Sequence, residues 1–232
     1  MLTLYPPVSP LFQLDYQGKY IETAYTNRVF EKLINYEWLL TEKLDGFHVS
    51  IIYDGRADDI SIFSKYPNRD SVPNEIVVYI QRIFNKKNIN KIRHIYGIDY
   101  RLYMYGIFCG GRYSERVDYR ISPKLFVFDV AIKHRDAIET WLDWNDIELI
   151  AEILGIRTVP QLGLADIPTI VDFVKNGFQS YITDDNSVSA LGVVAKTEPL
   201  MLDKYAKRIM FELETEKFKE GEEDVKTILH QE

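Results

Sequence analysis

The stretch Thr41-Glu42-Lys43-Leu44-Asp45-Gly46 sets a lysine between two carboxylates and just ahead of a glycine. A lysine amine attacks phosphorus only when it is neutral and held close, so such a site needs desolvation or nearby positive charge. Gly46 would let the backbone turn and approach a nucleotide closely. Lys-x-Asp-Gly alone is a weak signal, and an exposed hairpin lysine is its commoner meaning. His48 could carry a proton, although a strand histidine with a structural hydrogen bond is several times commoner. Cys109, in Phe108-Cys109-Gly110-Gly111, reads as packed in a turn rather than reactive. Lys86, Lys87, Lys91 and Arg93 form the clearest basic run. They could touch RNA phosphates, but a solvated loop is the plainer reading. No Cys/His cluster has zinc spacing, and no Walker-type phosphate loop is present.

The elements that must position these residues follow from periodicity. Tyr5 to Pro10 reads as an extended arm, and Asn27 as the cap of a short helix reaching Ile34. Trp38 to Lys43 and His48 to Tyr53 read as neighbouring strands, with Asp54-Gly55 as a hairpin turn into a strand over Ile60 to Phe63. Pro73-Asn74 opens a helix with Val77, Ile80, Ile83 and Phe84 on one face. The polar run Asn85 to Lys91 reads as a loop. Arg101 to Phe108 and Lys124 to Val130 read as strands. Asp143 or Asn145 caps a helix that buries Ile147, Ile150, Ala151 and Leu154 and stops at Gly155. Pro168 begins another helix and Gly177 ends it. Leu191 to Ala195 and Ile209 to Leu213 are strands, and the chain from Glu214 is charged. Hairpins with helices packed outside make this an α+β chain.

Length and charge narrow the setting. A chain of 232 residues can bury a core without staples. Its 16 Tyr and 12 Phe favour sheet. The formal net charge of −7 means that any nucleic-acid contact depends on a local basic patch. The single cysteine suits a reducing compartment. No apolar run approaches the ~18 residues of a membrane span. The expectation is a cytoplasmic protein, intracellular and free of membrane.

Trp38 through Gly46 resembles motif I of the ATP-dependent RNA ligases, especially the compact phage-type enzymes. Similar segments follow in that family's order. Tyr103 to Phe108 is similar to motif III, Lys124 to Val130 to motif IIIa, and Leu191 to Lys196 to motif IV. Lys207 to Glu214 with Lys217-Phe218 is similar to motif V, and Trp141 to Gly155 with Val159-Pro160 also has the family's look. The resemblance implies a nucleotidyltransferase (ATP-grasp-like) ligase fold of antiparallel sheets flanked by helices. It would occupy residues 1–220, leaving 221–232 as a charged tail. It also implies ATP and Mg²⁺ (or Mn²⁺) for an active enzyme, RNA ends as partners, and RNA repair. In the family's chemistry lysine becomes lysyl-AMP, AMP passes to an RNA 5′-phosphate, and a 3′-hydroxyl displaces it. By resemblance Lys43 is the nucleophile, and Asp45 helps hold it and metal-bound water. Glu42, Gly46, Phe126 and Lys196 would bind nucleotide, with Phe126 stacking on adenine and Phe128 sharing its strand face. Both rings serve equally well as ordinary core.

The departures from the family pattern fall on its catalytic positions. Motif III follows its glycine with glutamate, where this chain has Ile107; motif IV begins with glutamate, where it has Leu191. Those glutamates hold ribose and a divalent metal through oxygen, which Ile and Leu lack. Motif V offers two lysines at alternate positions, here Glu212 and Glu214. Strand alternation sets both on one face. Carboxylates beside a lysine favour its charged form, which does not attack phosphorus.

Two readings compete. One is an ATP-dependent enzyme joining RNA ends through Lys43-AMP, with catalysis weakened or lost. The other is a pseudo-ligase that binds nucleotide, RNA ends or a protein partner. A DNA ligase or capping guanylyltransferase ranks below both. Those append an OB-fold barrel, and the dozen residues after Glu220 fall far short of its ~70.

Overall fold

The computed structural model describes residues 4–65, 71–135 and 137–218. Two sheets carry the molecule. In chain order the elements are β1 (Ser9–Pro10), β2 (Phe12–Leu14), β3 (Tyr20–Tyr25), α1 (Arg28–Lys32), β4 (Trp38–Lys43), β5 (Phe47–Asp54) and β6 (Asp59–Ser64). There follow α2 (Asn74–Ile83), α3 (Lys86–Tyr96), β7 (Tyr100–Cys109), β8 (Lys124–His134), β9 (Thr140–Trp141) and α4 (Trp144–Leu154). The last are β10 (Arg157–Thr158), β11 (Gln161–Ala165), α5 (Ile167–Lys175), β12 (Gly192–Thr197) and β13 (Met210–Glu214).

The first sheet runs β1-β13-β12-β4-β11 and the second β10-β8-β7-β5-β6, with β9 on β8. Pairing is antiparallel apart from β1 on β13 and β10 on β8. The α+β arrangement of antiparallel sheets flanked by helices, expected from the sequence, is present. Apolar faces decide where the helices sit. Ile76 and Ile80 of α2, Ile89 and Ile92 of α3, and Ile147, Ile150 and Leu154 of α4 pack with the second sheet in one core. Ile167, Ile170 and Val174 of α5 and Phe30 of α1 pack with the first sheet in another.

The helix ends follow local chemistry. Asn27 caps α1 by accepting from the Val29 N–H at 3.0 Å. Asp143, rather than Asn145, caps α4 by accepting from the Asp146 N–H at 2.9 Å. Asp166 caps α5 with Pro168 in its first turn.

Two expectations are corrected. Asn85 to Lys91 is not a loop. Asn85 accepts from the Asn88 N–H at 3.1 Å and caps α3. The run is polar because only a narrow stripe carrying Ile89 and Ile92 meets the core. Phe126 and Phe128 do not follow strict alternation. Tyr105 pairs with Asp129 and Gly106 with Val127, so Phe128 is the extra residue of a bulge. Phe126 lies in the core at 1% exposure, while Phe128 is half-buried and faces a cleft. The expected charged tail, 221–232, lies outside the described residues. Among the described residues no helix is long and apolar enough to cross a membrane.

Candidate functional site

The chain leaves the first sheet at Lys43, turns through Leu44-Asp45-Gly46, and enters the second sheet at Phe47. A cleft of about 550 Å³ opens at this crossing. Lys43, Asp45, Gly46, Glu42 and Lys196 all line it, with Ile107, Leu191 and Glu212. The expected arm forms another wall through Tyr5 to Val8. Gly46 is required by its own fold: a Cβ there would stand 2.5 Å from the Phe108 carbonyl oxygen.

Sheet register sets the charges around Lys43. Gly192 of β12 pairs with Lys43 on one side and Glu214 on the other, so the three form one row across the sheet. With no side chain at Gly192, the lysine reaches over it. Its ammonium pairs with Glu214 Oε1 and, at 2.8 Å, with Glu212 Oε2. Glu214 is the more buried partner, its side chain 4% exposed against 22% for Glu212.

Arg116 completes this cluster, and no sequence spacing pointed to it. It lies in the connection between β7 and β8, donates to Glu214 Oε2 at 2.8 Å, and also pairs with Glu216. Burial alone would raise the Glu214 carboxyl. Hydrogen bonds from Arg116 and Lys43, with the charges of Lys43 and Lys217, hold it down at about 2. Asp45 fixes the Arg116 loop. Its carboxylate accepts from the Arg116 N–H at 2.6 Å and the Val117 N–H at 3.2 Å. The Asp45 N–H donates to the Tyr119 hydroxyl at 2.8 Å.

Glu42, adjacent in sequence, is otherwise engaged. Its carboxylate accepts from the Ser180 hydroxyl at 2.5 Å and the Tyr181 N–H at 2.9 Å. Burial raises its pKa, and these two hydrogen bonds pull it back. Lys196 is buried too, donating to the Phe128 carbonyl at 2.5 Å and to Asp129 at 3.2 Å. Arg208 and the Tyr5 hydroxyl bind the same Asp129 oxygen, Tyr5 at 2.7 Å. Burial would raise Asp129, but Lys196 and Arg208 hold its pKa below the usual range. Burial, reinforced by Lys65 and Lys43, pushes the His48 imidazole down to about 4, so it is neutral at pH 7.

The RNA ligase family model matches residues 36–210. The chain belongs to the RNA ligase family. A mutant of the Naegleria gruberi RNA ligase with ATP and Mn superposes on it with a TM-score of 0.57 at 15% identity. The alignment covers 91% of this chain and 61% of that one. An archaeal ATP-dependent RNA ligase gives 0.55 at 14% identity, covering 92% of this chain and 48% of that one. The chain thus spans about three fifths of the Naegleria ligase it matches. A comparison with curated proteins found no match.

Of the positions singled out in the sequence, Ile107, Leu191 and Glu212 line this cleft, and Glu214 pairs with Lys43 at its edge. Ile107 and Leu191 line it, 2% and 8% exposed, and offer no oxygen. Glu212 and Glu214 both engage Lys43. Phe126 lies in the core and does not line the cleft, whereas Phe128 does. These side chains by themselves do not form a cage for a divalent metal. Among the described residues no group of three His, Cys, Asp or Glu could hold one. Asp45 spends its carboxylate on backbone amides, and the Glu212 and Glu214 carboxylates are paired with cations.

Proposed function

We propose that this RNA ligase-family chain is a pseudo-ligase: it binds a nucleoside-type ligand, free or at an RNA end, without adenylylating Lys43. The observation that carries this is the double ion pair of Lys43 with Glu212 and Glu214. An ammonium donating to two carboxylates has no lone pair for phosphorus. A phosphate approaching it would also meet Glu212. Like charges ~4 Å apart repel by roughly 4 kcal/mol at an effective dielectric of 20. Asp45 then serves to dock the Arg116 loop, and Lys196 to neutralise Asp129. The lone Cys109, fully buried, accords with a reducing, cytoplasmic setting.

The other reading, ATP-dependent RNA joining with Mg²⁺ or Mn²⁺, draws on the retained Lys43-x-Asp45-Gly46 at the cleft. Radiolabelled ATP with either metal, followed by a denaturing gel, separates the two. A blank wild-type lane is expected, with label appearing when Ile107→Glu, Leu191→Glu, Glu212→Lys and Glu214→Lys are combined. A wild-type band that vanishes in Lys43→Ala would overturn the proposal.

A further inference from the structure

Three of the positive charges at the cleft are balanced from within. Among the described residues four cations line it: Lys43, Lys65, Arg116 and Lys196. Lys43 is paired with Glu212 and Glu214, Arg116 with Glu214 and Glu216, and Lys196 with Asp129. Lys65 acts electrostatically on His48. A polyphosphate would therefore have to break existing pairs to be neutralised by Lys43, Arg116 or Lys196. It would do so beside Glu212, the cleft carboxylate nearest solvent in the Lys43 cluster. Among the described residues no group of three or more His, Cys, Asp or Glu stands ready to bring a divalent cation to it.

What remains is apolar surface with neutral polar groups. Leu44, Val49, Ile107, Val159 and Leu191 supply the walls, and the Phe128 ring supplies an aromatic face. His48 and Ser50 both line the cleft, two residues apart on β5 and so on one strand face. They offer a neutral imidazole and a hydroxyl, groups that can donate to and accept from a base or ribose. The volume of about 550 Å³ suits a single small organic ligand.

From this we infer that the cleft selects an uncharged nucleoside over its nucleotides, independently of divalent metal, with His48 and Ser50 as its polar contacts. The inference rests on the proposed non-adenylating cleft. It sharpens that reading to ligand class: base and ribose are held, and phosphate is refused. An RNA end would be engaged through its terminal nucleoside rather than a terminal phosphate.

Calorimetric titration of the full chain with adenosine, AMP and ATP, each with and without Mg²⁺, tests it. Adenosine should bind, AMP about tenfold more weakly and ATP more weakly still. Mg²⁺ should leave the order unchanged. Glu212→Gln, at a partly exposed position, should narrow the gap between adenosine and ATP. His48→Ala should weaken adenosine about tenfold with an unchanged circular dichroism spectrum. A short RNA with a 5′-hydroxyl, titrated beside its 5′-phosphorylated twin, separates a free nucleoside from an RNA end as the source. ATP binding more tightly than adenosine, or no adenosine binding at about 1 mM, overturns the inference. The labelling gel reads the other claim: a covalent AMP band sinks the non-adenylating reading, whereas tight ATP binding with a blank gel sinks only this one.

Discussion

Lys43 and Glu214 stand two strands apart on one row of the first sheet, bridged across Gly192. The lysine is thereby a counter-ion to a buried carboxylate. Removing one partner of a buried pair leaves the other uncompensated. Lys43→Met should lower folding stability by about 2–3 kcal/mol, less than the full loss because Arg116 still contacts Glu214. Urea unfolding measures it. Adding Glu214→Gln should recover much of the loss. A Lys43→Met protein as stable as wild type would remove the structural role.

Gly192 makes that contact possible. A Cβ there would overlap the Leu213 carbonyl oxygen and crowd the Glu214 Cα. Gly192→Ala should therefore cost about 2–3 kcal/mol, as over-packing does. The same substitution at Gly155, where a Cβ meets nothing within 4 Å, bears only the strain of its positive φ. If the two variants unfold at one urea midpoint, the close packing of this row is wrong.

The cleft should also leave a signature in acid. Glu214, held at about 2 against an ordinary 4.5, contributes stability that is complete above about pH 4.5 and is lost toward pH 2. His48, pushed from 6.5 to about 4, works in a higher window. There the unfolded chain takes up a proton that the folded protein refuses, so folding weakens as pH falls from about 6.5 to about 4. Melting temperatures followed by circular dichroism should show wild type losing ground to His48→Gln across the upper window. Its advantage over Glu214→Gln should shrink across the lower one. Parallel profiles for all three proteins would contradict these assignments.

The parts of the fold visible in the sequence were those governed by local period. Trp38–Lys43 and Ile209–Leu213 read as strands because apolar residues alternate or run through them, and capping residues announce two helices, Asn27 for one and Asp143 or Asn145 for the other. α3 was hidden because Lys86, Lys87, Asn88 and Asn90 outweigh the Ile89 and Ile92 stripe, although Asn85 was there as a cap. The bulge at Phe128 depends on pairing between β7 and β8, which no single-strand period encodes. Arg116 was invisible for a similar reason. It reaches Glu214 because Asp45 ties down its loop, a contact between segments 71 residues apart. The facing of Glu212 and Glu214 could be argued from alternation, but their contact with Lys43 needed the intervening Gly192.

The most direct test of Lys43 as counter-ion rather than nucleophile is intact-protein mass spectrometry. The full chain is incubated with ATP and Mg²⁺, or with ATP and Mn²⁺, and its mass is read before and after. An unchanged mass is the predicted result. A gain of one AMP that is absent from Lys43→Ala would contradict it and return the lysine to catalysis.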